Sequence, residues 1–150
     1  METIAAGIVP YLLIKDEIYL LLGLEKSNNK WSGFVGGSEK DELIVDTALR
    51  EFNEETALIF EEYIPFIKSK LNLIVPEKDK SKLGRNVYIY FIQFPDETEN
   101  KITQFINSKS KLEPNCYHEK SILKWFSLNE IKNSNSKILY RLRQMILKKF

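Results

Sequence analysis

The chain lacks most of what would assign it to a specialised class. Its 150 residues include one cysteine, Cys116. No intrachain disulfide can therefore form, and a reducing compartment is expected. Cys116 stands beside Tyr117 and His118, but no Cys/His signature surrounds it, and it reads as a plain, partly buried thiol. An excess of charge of one sign is also missing. The sequence has 22 Lys and Arg against 21 Asp and Glu, a formal net charge of +1, which gives no general pull towards nucleic acid or membrane. No apolar run is long enough to span a membrane. The run from Ile4 to Ile14 is interrupted by Gly7 and Pro10, stops at Lys15-Asp16-Glu17 and has no basic segment before it, so it reads as neither a span nor a signal peptide. Internal repeats and linkers are absent as well. A single domain over residues 1–150 is expected, in a soluble, cytoplasmic protein that is monomeric or homodimeric.

What is present is an ordinary balance of 43% apolar and 29% charged residues, arranged as an α/β pattern. Ile8 to Ile14 and Ile18 to Leu24 are near-continuously apolar on either side of a Lys15-Asp16-Glu17 turn. They read as a hairpin of central strands buried on both faces. Ser27 to Lys30 is a loop, and Trp31 to Val35 leads into Gly36-Gly37, with Trp31 and Phe34 as core anchors. Leu58 to Phe60 reads as the start of a strand, and Glu61 to Lys70 fits strand or helix equally. Leu71 to Val75 is an apolar run closed by Pro76. Glu77 to Arg85 reads as an exposed polar loop whose Lys78, Lys80, Lys82 and Arg85 are solvated, with substrate phosphates as a second use. Asn86 to Phe94 is a strand and Thr98 to Ser110 a helix. Glu113-Pro114-Asn115 is a turn, Ile122 to Phe126 a strand, and Ser127 to Ile131 a helical turn. Lys137 to Lys149 forms a last helix capped by Ser134 or Ser136, with Ile138, Leu139, Leu142, Met145 and Ile146 in one apolar stripe.

One stretch stands apart by its spacing. Gly36 is followed six residues on by Glu42, eight further on by Arg50-Glu51, then by Phe52 and by the pair Glu54-Glu55. No Pro or Gly interrupts Asp41 to Leu58, so one helix can run through most of it, with Asp41 as cap and Glu42 in the first turn. On a wheel of about 100° per residue, Val45, Ala48, Leu49 and Phe52 form an apolar arc. Glu51 and Glu55 fall at its edge and Glu54 just beyond. Like charges spaced i, i+3, i+4 repel by roughly 0.2–0.5 kcal/mol a pair, and by more where the dielectric is low. A divalent cation would turn that cost into a gain, and oxygen-only ligands favour Mg²⁺ or Mn²⁺. Arg50, four residues from Glu54 and next to Glu51, can hold a carboxylate in its rotamer. The backbone at Gly36 and Gly37 can approach phosphate closely because no Cβ intervenes.

Gly36-x5-Glu42-x7-Arg50-Glu51-Phe52-x-Glu54-Glu55-x-Ala57-Leu58 resembles the Nudix box. His118-Glu119 ahead of Lys124-Trp125-Phe126-Ser127-Leu128 is similar to the late acidic position of the same family. Ala57 departs from the pattern by standing where the family has a helix-ending Gly, which should cost about 1 kcal/mol or change the exit. Counted from Gly37, the loop before Glu42 is one residue short.

The resemblance implies a Nudix fold, an α/β/α sandwich with a mixed sheet between helices. It implies a pyrophosphohydrolase acting on a nucleoside diphosphate linked to another group, with an RNA 5′ end as a second candidate partner. Gly36, Glu51, Glu54 and Glu55 would hold Mg²⁺ or Mn²⁺. Glu51, Glu54, Arg50 and Glu119 would carry the chemistry, with Glu51 or Glu119 as general base and Gly36 and Gly37 against the substrate. His118 is the weaker candidate beside Glu119. The alternative is a Nudix-fold nucleotide- or RNA-binding module that no longer cleaves. Tyr88, Tyr90, Phe94, Tyr117 and Trp125 could each stack on a base or fill the core.

Overall fold

In the computed structural model, residues 4–81, 83–114, 116–133 and 137–150 are described. The proposed caps Ser134 and Ser136, Lys82 and the Cys116 side chain lie outside them. The strands are β1 (Ile4–Ile14), β2 (Glu17–Glu25), β3 (Trp31–Ser32), β4 (Phe34–Gly37), β5 (Glu77–Lys80), β6 (Asn86–Gln93) and β7 (Lys120–Ser127). The α-helices are α1 (Ile44–Glu55), α2 (Ile64–Leu71), α3 (Phe105–Ser110), α4 (Leu128–Asn133) and α5 (Tyr140–Lys149).

β1 is the spine. Along one edge it pairs in parallel with β6, from Ile4 opposite Asn86 to Tyr11 opposite Gln93. Along the other it pairs with β2 only near the hairpin, Tyr11–Ile14 against Glu17–Leu20. Lys15 and Asp16 both take positive φ there (51° and 66°), as a two-residue hairpin turn that follows the strand twist requires. Beyond the turn β1 and β2 diverge. The gap is filled by β4 on β1 and β3 on β2, while β7 lies along the outer edge of β2.

The continuous apolar runs are explained by two cores, one on each side of the strands. Ala6, Ile8, Leu12, Leu21, Tyr90 and Ile92 face α1, α2 and α3. Val9, Leu20, Leu22, Ile89 and Phe91 alternate with them and face α4 and α5. Phe52 of α1 anchors the first core, with ring centroids 5.5, 5.3 and 5.8 Å from Phe34, Phe60 and Phe94. Phe34, Tyr90 and Phe94 are thus core residues. Trp31 packs edge-on against Phe126 at 5.0 Å. No helix among the described residues is long and apolar enough to cross a membrane.

Several sequence expectations need correction. The helix of the acidic motif runs through most of Asp41–Leu58, as Ile44–Glu55, but its cap differs: Leu43 is the N-cap residue and Asp41, at φ 62°, caps nothing. Glu42 therefore precedes the first turn and is free to fold back on Arg50. Leu58 to Phe60 is turn, not strand, and leads through a 3₁₀ turn at Glu61–Tyr63 into α2. Leu71 to Val75 is the end of that helix and an exposed turn. Glu77–Lys80 is not loop but an edge strand on β6; with no apolar residue it has no sequence signal beyond its partner, and its charges protect the edge. The helix expected from Thr98 is 3₁₀ from Asp96 to Gln104 before α3 begins. The last helix begins at Tyr140 rather than Lys137, because residues 137–139 bridge to Trp31.

Candidate active site and family membership

α1 lays its edge across the end of β4. Thr47, Glu51 and Glu55 of that edge are buried with Ala48 and Phe52. Gly36 is what lets the helix come so close: a Cβ there would lie 2.1 Å from the carboxyl carbon of Glu51. Neither Gly36 nor Gly37 has positive φ, so the glycine requirement at position 36 is space rather than backbone freedom. Gly37 turns the other way, and a Cβ on it would meet the guanidinium of Arg85 at 2.1 Å.

Arg50 organises the near side. Its Nε and Nη2 donate to the two oxygens of Glu42 at 2.9 and 3.0 Å. Nη2 also donates to the Gly37 carbonyl at 2.9 Å, and Nη1 reaches Glu51 at 3.0 Å and Glu54 at 3.4 Å. Glu42 takes further bonds from Thr47 Oγ1 at 2.7 Å and the Glu39 amide at 3.0 Å. This bidentate Arg50 pairing, helped by the other two donors, holds the Glu42 carboxyl down to about 2.

Carboxylate oxygens of Glu51, Glu55 and Glu119 lie within 4.8 Å of one another. Glu55 is 2% exposed, and its Oε2 is buried with no hydrogen-bond partner. Burial pushes the Glu55 carboxyl well above the usual range; Lys120 offsets part of this, and Glu119 and Glu51 add to it. Burial and the neighbouring Glu51 also raise Glu119 and Glu54. Glu54 shares the helix surface but stands outside this tight trio, tethered towards Arg50. A buried, orphaned oxygen among three acids is the environment a hard cation fits.

His118 is engaged elsewhere. Its Nε2 is 2.9 and 3.1 Å from the carbonyls of Lys109 and Leu112, so that nitrogen carries the proton and donates. Trp125 Nε1 donates to the Glu99 carbonyl at 3.0 Å. The sequence reading missed Thr47, Glu25, Ser32 and Lys120. Thr47 carries no signal of its own. Glu25 and Lys120 pair across β2 and β7, and only the strand register would have shown opposite charges facing there.

A cleft of about 580 Å³ opens over the acids, bordered by Glu25, Lys26, His118 and Glu119. An apolar chamber of about 220 Å³ adjoins it, sharing Glu25 and Val35, and is lined by Val87, Ile89, Leu142 and Met145.

The sequence model of the NUDIX domain matches residues 1–146. The chain belongs to the Nudix family. No curated protein matches it in sequence, but solved Nudix structures share its fold. A C. elegans Ap4A hydrolase binary complex aligns with a TM-score of 0.61 at 20% identity, over 97% of this chain and 94% of that one. The NUDIX domain of Shewanella oneidensis NrtR, complexed with ADP ribose, aligns with a TM-score of 0.61 at 14% identity, over 99% and 86%. A bifunctional NMN adenylyltransferase/ADP ribose pyrophosphatase from Francisella tularensis, with AMP and a manganese ion, aligns with a TM-score of 0.59 at 23% identity, over 99% of this chain and 41% of that one. At these identities the likeness is one of fold. In this Nudix chain the helix exit is left-handed at two residues, Ala57 (φ 52°) and Leu58 (φ 63°). The family glycine is thus replaced without a change to an ordinary backbone conformation.

Proposed function

We propose that the protein is a divalent-metal-dependent Nudix pyrophosphohydrolase that cleaves the phosphoanhydride of a nucleoside diphosphate linked to another group. The observation that carries this reading is the close trio Glu51, Glu55 and Glu119 together with the buried Oε2 of Glu55, which has no hydrogen-bond partner. These side chains, with Glu54 at their border and the Gly36 backbone beside them, would hold Mg²⁺ or Mn²⁺. Bound there, the ion neutralises phosphate charge and acidifies water.

The remaining work falls to the chain. Arg50 fixes the rotamers of Glu51 and Glu54 through one guanidinium, as a positioning residue. Glu119, exposed at the cleft and raised in pKa by partial desolvation and the neighbouring Glu51, is suited to take a proton from attacking water; Glu51 is the other candidate. The apolar chamber beside the acids suits a nucleoside base, and the wider cleft suits a phosphate chain. One fold neighbour is an Ap4A hydrolase and another is complexed with ADP ribose, compounds of this class.

The basic last helix supports a small substrate over an RNA end. Arg141 and Lys149 are spent on Asp79 and Glu77 across β5, and Arg143 on the carbonyls of Ile131 and Lys132.

The test is a panel of nucleoside diphosphate derivatives and capped RNA with Mg²⁺ or Mn²⁺, scored by product. Wild type should release a nucleoside monophosphate or phosphate. Glu54→Gln should lose most metal-dependent turnover while its melting curve persists, and full turnover in that variant would remove Glu54 from the assignment. Calorimetric binding of nucleotide with no release by wild type would instead identify a binding module.

A further inference from the structure

Among the described residues, Lys120 is the one lysine buried as deeply as the core, at 2% exposure. The proposed chemistry does not use it, yet the surroundings are built for it. Its stem crosses Gly23, where an added Cβ would lie 2.8 Å from Cδ. Its Nζ donates to Ser32 Oγ and lies 5.7 Å from the centre of the Phe34 ring. Ser32 donates in turn to Glu25 Oε1 at 2.8 Å. The same Nζ is 3.7 Å from that Glu25 oxygen and 3.5 Å from Glu55 Oε1. Glu55 is thereby divided: Oε1 faces an ammonium, whereas Oε2 is buried and unpartnered.

We propose that Lys120 is a resident cation of the carboxylate site: it holds Glu55 by one oxygen, leaves the other to a single divalent ion, and excludes a second divalent ion from the Glu25–Glu55 side. The inference rests on the metal-binding reading above and adds a limit on how many ions the free protein takes. Glu25, Glu51, Glu55 and Glu119 would otherwise form an acidic floor able to hold more than one. A divalent ion seated between Glu25 and Glu55 would stand against the ammonium, in surroundings with little water to screen the repulsion. Lys120 borders the cleft, but its ammonium is committed to Ser32, Glu25 and Glu55, and it is therefore a positioning residue.

The experiment counts Mn²⁺ bound per chain in the full-length protein without nucleotide, by the electron paramagnetic resonance signal of free Mn²⁺ during titration. Wild type should take one ion. Lys120→Gln and Lys120→Met, which remove the charge and keep most of the length, should take two; Lys120→Arg should take one. A role in packing alone would not alter the count. A wild type that binds two ions overturns the proposal, without reliance on any variant. So does a folded neutral variant that binds one ion with unchanged affinity. A wild type that binds none overturns the metal reading itself, and this role with it, whereas failure of the Lys120 variants alone leaves that reading standing.

Discussion

Two cations flank the acids of this site, and they are installed in opposite ways. Arg50 is a quarter exposed and spends its planar fork on Glu42, Glu51, Glu54 and a backbone carbonyl, each with direction. Lys120 is buried, with one hydrogen bond to Ser32 and two longer ion contacts. A guanidinium fixes geometry because its donors are rigid; an ammonium compensates charge from a compact point. One side of the cluster is thus a scaffold, and the other a counterweight.

The largest effect should come from breaking the scaffold. Arg50→Met leaves Glu42 without its partner and frees Glu51 and Glu54. It should cost about 2–4 kcal/mol in urea unfolding and lower metal-dependent turnover about 10–100-fold. A variant with wild-type stability would show that Thr47 and the Glu39 amide hold Glu42 unaided.

Next, the two sides should respond to pH with opposite sign. Glu42 has its pKa lowered from 4.5 to about 2. Its contribution is present above 4.5 and lost as pH falls towards 2, so Glu42→Gln should flatten the acid limb of the melting curve. Glu55 has its pKa raised by burial. Its contribution is present below the ordinary 4.5 and lost as pH rises through the higher value in the fold. Metal-free protein should therefore weaken towards alkaline pH. Mg²⁺ at about 100 times its Kd should then restore roughly 2.7 kcal/mol. Glu55→Gln should raise the metal-free melting temperature at pH 8 by about 2–4 °C and abolish that response to Mg²⁺. A lower melting temperature in that variant would mean that Lys120 needs Glu55 more than Glu55 needs relief.

The smallest effect should be at Ala57. Glycine would relieve its left-handed backbone but loses a buried methyl in the core, so Ala57→Gly should change stability by less than about 1 kcal/mol. A larger gain would locate strain in that helix exit.

The central hairpin and α1 were legible because both have strong signals: near-continuously apolar runs around a tight turn, and an arc of period 3.6. The motif spacing also brought Glu51 and Glu55 to the edge of the core, where they lie. Which acids gather most tightly was not legible. Helical spacing makes Glu54 a neighbour of both, but the fold draws it towards Arg50 and supplies Glu119 from the bend just before β7. Edge strand β5 could not be read because Glu-Lys-Asp-Lys has no apolar face and exists as a strand only against β6. Lys120 was hidden for a similar reason: its burial follows from a missing Cβ at Gly23 on a different strand.

β1 is tied by backbone ladders to β6 on one edge and to β2 and β4 on the other. α1 rests on β1 and β4, while Glu119 hangs from β7 by way of β2. The gap between the jaws of the site is therefore set by main-chain rungs, as in a caliper locked on its beam. Widening it means breaking rungs beside the Lys15-Asp16 turn, so the ion-binding geometry should hold until the hairpin itself frays.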